Sequence, residues 1–194
     1  MRIRKGRRKA IGQGDWQGGE MWLIGSRDSF GIALEKDEAA YQLAMYVQGN
    51  DILQIEKDGV RYPYRWGTCQ DIIEWFQKNR NDIFSDDEFP LSVSAESSAE
   101  KCEKCYRLDF DEMERYEVLQ DWTFRHSWFS ARAGSYLADV FFVKNGDMIE
   151  ISWDNTNTFQ EDGIRFVFPK GKYEVDMGTF EKIIERLCAL YEHL

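Results

Sequence analysis

The chain has 194 residues, with 25 Lys and Arg against 35 Asp and Glu, a formal charge of −10. Six of the bases lie in residues 1–10, which hold no acid; setting them aside leaves 19 bases against 35 acids, a body at −16. That is the wrong sign for a general nucleic-acid binder, whose folded face must be basic. At 43% hydrophobic and 15% aromatic, the chain is too apolar for disorder and can bury a substantial core.

No stretch approaches the ~18 uninterrupted apolar residues of a membrane helix. The basic head lacks the apolar segment of a signal peptide after it. Cys69, Cys102, Cys105 and Cys188 are read as thiols of a reducing, cytoplasmic compartment. Residues 1–19 read as a flexible basic and Gly-rich leader. Gly12, Gly14, Gly18 and Gly19 do not make a phosphate loop, which needs a strand before it and a helix directly after it.

Met21–Ile24 and Phe30–Leu34 read as strands around a polar 26–29 turn. Residues 37–48 fit two periods. Ala40, Leu43, Ala44 and Val47 match a helix; Tyr41, Leu43, Met45 and Val47 match a strand; the expectation is a helix. Asp58-Gly59 predicts a tight hairpin between 53–55 and 60–66, with Pro63 marking an edge. Thr68 and Asp71 predict a helix start, followed by the apolar stripe Cys69, Ile72, Ile73 and Phe76.

Residues 85–105 read as a Ser-, Ala- and Glu-rich loop. A helix is expected over roughly 109–122, capped by Asp109 with Glu112 in its first turn. Met113, Tyr116, Leu119 and Trp122 would face inward. Leu137–Val143 and Met148–Trp153 flank Asn145-Gly146, a strong hairpin signal. Ile164–Phe168 and Tyr173–Met177 complete a predicted four-stranded meander. Thr179 is read as the cap of a last helix bearing Phe180, Ile183, Ile184, Leu187, Leu190 and Tyr191.

The fold class is therefore α+β. An antiparallel meander of about four strands in the C-terminal half packs against helices, beside a smaller hairpin-plus-helix N-terminal half. Residues 20–194 read as one domain, divisible into lobes 20–84 and 106–194 about the 85–105 loop.

Few constellations carry chemistry. Cys102 and Cys105 are half of a zinc site, with no second pair at metal spacing. His126 beside Ser127 lies among aromatics and reads as a structural imidazole. Asp139 and Glu150 on adjacent strands are the paired acids of an alternative reading, a metal-dependent hydrolase. A lysine two residues beyond the second acid is missing, for Ser152 stands there. Asp109 and Asp111 equally well offset a helix dipole. Residues 154–158 lack the alternating acids and central glycine of a calcium loop. The seven tryptophans suit core packing, or a sugar- or peptide-binding module if they stand exposed.

The residues His126, Ser127, Trp128, Gly134, Leu137–Val140, Glu150–Asn155 and Gly163–Phe166 resemble bacterial polymorphic-toxin and contact-dependent-inhibition immunity proteins. The likeness implies a cytoplasmic protein that binds a cognate toxin domain and blocks it by occlusion. It carries over no catalytic residue, metal or cofactor. The partner it implies is a basic toxin domain, such as a nuclease, rather than nucleic acid or membrane. Expected contact residues are Asp86, Asp87 and Glu88 in one cluster and Asp154, Asn155 and Asn157 in another.

Overall fold

The computed structural model describes residues 21–37, 40–66, 70–107 and 113–192. The leader, the Thr68 cap, Cys69, the Asp109 and Glu112 cap and the Asp109–Asp111 pair lie outside them.

Alternating apolar side chains build the first sheet. β1 (Met21–Gly25) and β2 (Phe30–Asp37) form an antiparallel hairpin, with Trp22 opposite Leu34 and Ile24 opposite Ile32. The helix expected over 37–48 is instead β3 (Ala40–Val47). The period of two wins because β2 offers a matching row. Leu43, Met45 and Val47 pair with Leu34, Ile32 and Phe30, and all six are buried. β4 (Asn50–Asp51) and β7 (Tyr64–Trp66) both pair with β3.

The Asp58-Gly59 turn forms as predicted, both residues at positive φ, between β5 (Ile55–Lys57) and β6 (Val60–Tyr62). The expected long strand breaks at Pro63, which has no N–H to donate to a ladder. β6 stays with β5, while β7 crosses to β3.

Among the described residues the C-terminal half holds four strands, but they do not form one meander. β8 (Phe141–Asn145), β9 (Met148–Asp154) and β11 (Lys170–Asp176) make a three-stranded antiparallel sheet in the order β11-β9-β8. β10 (Ile164–Phe166) leaves it and pairs with β5. The β8–β9 turn is centred on Gly146-Asp147, one residue later than expected. Asn145 belongs to β8, and Gly146 alone takes positive φ, at the first turn position.

Among the described residues, four α-helices pack on these sheets: α1 (Gln70–Ile83), α2 (Ser98–Tyr106), α3 (Met113–His126) and α4 (Met177–Tyr191). α2 occupies the second half of the stretch read as loop. α3 buries Leu119 and Trp122 as expected, but Met113 and Tyr116 are exposed, because its first turns project past the core. The α4 cap is Asp176, not Thr179; the Asp176 carboxylate accepts from the Thr179 N–H at 2.8 Å. Among the described residues, no helix is long and apolar enough to cross a membrane.

One large core joins both halves of the chain. Phe142 lies 5.1 Å from Phe76, 5.2 Å from Trp128 and 5.6 Å from Phe180, ring centre to ring centre. Phe180 in turn stacks on Phe30 at 5.6 Å. A second, smaller cluster gathers Ala99, Cys102, Cys105, Leu119, Trp122 and Phe141, with Phe89, Leu91 and Val93 packed against it.

Candidate functional site

Both faces of the β11-β9-β8 sheet are covered. Ile149, Ile151 and Trp153 face the large core, while Glu150 and Ser152, also buried, face α2. The sheet supplies what the first turn of α2 lacks. Ser98 N–H donates to Glu150 Oε1 at 2.7 Å, and Ala99 N–H donates to Ser152 Oγ at 3.2 Å. Ser152 O–H donates to Glu150 at 2.9 Å, and Lys172 Nζ lies 3.4 Å away. Ser97 Oγ completes the cap by accepting from Glu100 N–H. A carboxylate at a helix N-terminus satisfies free N–H groups and the helix dipole together.

Beside this junction lies a cleft of about 740 Å³. One wall is the irregular segment 86–97 that leads into α2. The other is the β8–β9 turn with Lys144 and Asn145, and Trp122 lines the cleft from α3. The three acids expected as contacts stand here in different states. Asp86 has its side chain 85% exposed and 2.8 Å from Lys144. Asp87 pairs with Arg125, which Asp82 and Asp121 also hold. Glu88 is exposed.

The second expected cluster does not share that cleft. Asn155 is buried, which corrects its reading as a contact residue. Its Oδ1 accepts from Asp139 N–H at 2.7 Å and its Nδ2 donates to Asp139 O at 2.9 Å. An amide carries one acceptor and one donor group in fixed geometry, which suits it to clamping a neighbouring backbone in this way. Asp154 pairs with Lys170 at 3.1 Å and accepts from Thr156 Oγ1 at 2.8 Å. Burial works against its charge, but those hydrogen bonds outweigh it and hold the carboxyl below its usual value. Asn157 is exposed.

Asp139 and Glu150 are not brought together. Glu150 lies opposite Val143, and Asp139 precedes Val143 by four residues, about 13 Å of extended chain. The Asp139 carboxyl instead lies 2.8 Å from Arg132 Nη2, off the line of a hydrogen bond. Burial pushes it up to about 6, against the pull of Arg132. His126 is 1% exposed, stacks on Trp122 at 4.3 Å and has Nδ1 3.0 Å from Trp122 O. Burial lowers its pKa. Cys102 and Cys105 are buried in the smaller core, and burial pushes the Cys102 thiol up to about 12. Among the described residues, no group of three His, Cys, Asp or Glu side chains is placed to hold a metal ion.

No protein-family model, curated protein or solved structure matches the chain. Sequence reasoning missed the α2 junction, although one signal was present. Ser97 followed three residues later by Glu100 is a helix-start pattern. Nothing local in the sequence shows that Glu150 closes that helix end from the sheet.

Proposed function

We propose that this chain is a non-catalytic, cytoplasmic binding protein that neutralises a cognate basic toxin domain by occlusion. The observation that supports it best is the cleft wall. Between Arg80 and Lys101 the chain has six acids and no base, and that run borders the largest cleft described. The cleft lining carries five carboxylates against three lysines, Lys101, Lys144 and Lys172, and a net negative lining favours association rate and specificity toward a basic protein surface. The likeness over residues 126–166 points to the same class of partner.

The rivals draw less from the geometry. A hydrolase using Asp139 and Glu150 needs two carboxylates at one point, and strand register separates them. A sugar- or peptide-binding module would draw on exposed aromatics; Trp75, Trp122, Trp128 and Trp153 are buried, and the exposed Tyr62, Tyr106, Tyr116, Phe124 and Tyr136 do not line the cleft of about 740 Å³.

The test is co-expression with the toxin domain encoded by the adjacent upstream gene. Cells survive and the two proteins co-purify if the reading holds. Absence of both protection and binding overturns it.

A further inference from the structure

The cleft carries one group that the fold leaves unused. Four indoles are buried among the described residues. Three donate to backbone carbonyls: Trp75 to Phe124, Trp128 to Ala138 and Trp153 to Phe168. The fourth, Trp122, is 1% exposed and its Nε1–H has no hydrogen-bond partner. A buried donor without an acceptor carries a desolvation penalty, so native proteins hold few of them.

Its surroundings explain the missing acceptor. His126 stacks on Trp122, Phe141 lies parallel at 6.1 Å, and Phe89 meets the indole edge-on at 4.8 Å. The cover is weakest on the Phe89 side. Phe89 is half-buried, and segment 86–97 contains one backbone–backbone hydrogen bond of its own, Val93 to Leu91. With so little backbone bonding the segment is held mainly by side-chain ties near the surface, Lys144 on Asp86, Arg125 on Asp87, Lys104 on the Ser94 carbonyl and Lys101 over the Phe89 ring, and such ties are individually weak. β8 is the last strand of its sheet, and its residues Val143–Asn145 line the cleft.

We propose that the cleft receives an extended, basic segment of the partner protein. Phe89 swings aside, a backbone carbonyl of the segment accepts the Trp122 Nε1–H, and its Lys or Arg side chains meet Asp86 and Glu88. Charge selects this occupant: five carboxylates line the cleft against three lysines, Lys101, Lys144 and Lys172, and this net negative lining attracts cationic side chains and disfavours phosphates and acidic peptides. The partner being a toxin rests on the proposed function; the surface and the chemistry of its occupant do not.

The test uses ¹⁵N-labelled full chain and synthetic ten-residue peptides with Lys or Arg at alternate positions, each with a Glu-substituted counterpart. Trp122→Phe keeps an aromatic ring without the N–H and identifies the indole resonance by its loss. Basic peptides should move that resonance downfield saturably, acidic ones should not, and Asp86→Asn with Glu88→Gln should weaken binding about tenfold at low salt. An indole resonance unmoved by every basic peptide overturns the assignment. The paired acid variant is on the surface and folds regardless, so it decides the matter if Trp122→Phe does not fold. Undiminished peptide affinity in that variant also overturns it. If the toxin domain binds and its affinity is unchanged in the acid variant, the cleft falls and the function stands. If the toxin does not bind but the peptides move the indole, the function falls and the cleft stands.

Discussion

The two clusters of the molecule are held by different means. The large core is a continuous ring contact from Phe30 through Phe180 and Phe142 to Phe76 and Trp128. The α2–α3 cluster is small and depends on polar links: Glu150 and Ser152 to the start of α2, and Cys102 Sγ to Thr123 Oγ1 at 3.2 Å. Burial is non-directional and tolerates small shifts, whereas a buried polar junction fails when one partner goes. The cleft lies against the second region, where local opening is cheapest.

The most severe disruption should come from the large core. Phe142→Ala removes contacts to Phe76, Trp75, Trp128 and Phe180 together. It should cost about 3–5 kcal/mol in urea unfolding. Glu150→Ala attacks the other region and strands the buried Ser98 N–H. A loss of about 1–3 kcal/mol is expected, with faster amide exchange confined to α2. Uniformly faster exchange across β2 and β3 would show that the two regions are not separable.

Gly171→Ala tests the outer strand β11. A Cβ there collides with the Trp153 indole, and overpacking of this kind costs about 1–3 kcal/mol. Thermal unfolding reads it directly.

The mildest effect is a pH dependence. Burial pushes Asp51 and Asp139 each up to about 6, Asp51 despite the N–H of Leu53 on its carboxylate. Their unfolded value is about 3.9. The folded protein therefore holds protons that the unfolded chain has released between about pH 4 and 6. The contribution is fully present below pH 4 and is lost as pH rises through 6. These two carboxyls favour pH 5 over pH 7.5, while His126, held neutral by burial, pulls the other way as its imidazole would be protonated in the unfolded chain. Asp51→Asn keeps the acceptor without the charge; it should raise stability at pH 7.5 by about 1–2 kcal/mol and flatten the slope between pH 5 and 7. An unchanged slope in chemical denaturation refutes the assignment to Asp51.

Local signals in the sequence were readable where the structure they make is local. Asp58-Gly59 turns the chain where expected, and Ile72, Ile73 and Phe76 face the core as their spacing requires. Residues 40–47 carried two periods, and only the presence of β2 beside them decides between the two. β10 alternates correctly, yet alternation does not name a partner, and its partner lies about a hundred residues earlier. The acids at 86–88 were visible as a cluster; that Asp87 is held by Arg125 was not. Asn155 looked like a loop residue because its role depends on a backbone 16 positions away.

The departure of β10 has a kinetic meaning. Its ladder, Ile164 to Lys57 through Phe166 to Ile55, ties the last third of the chain to the first. Ordering the β5–β10 pair requires closing a very long loop, which is slow and comes late in folding. A nascent chain that stops short of residue 164 lacks this strand. Fragments cut within the 86–97 segment would leave one edge of β5 open in one and β10 without a partner in the other, and should regain structure on mixing.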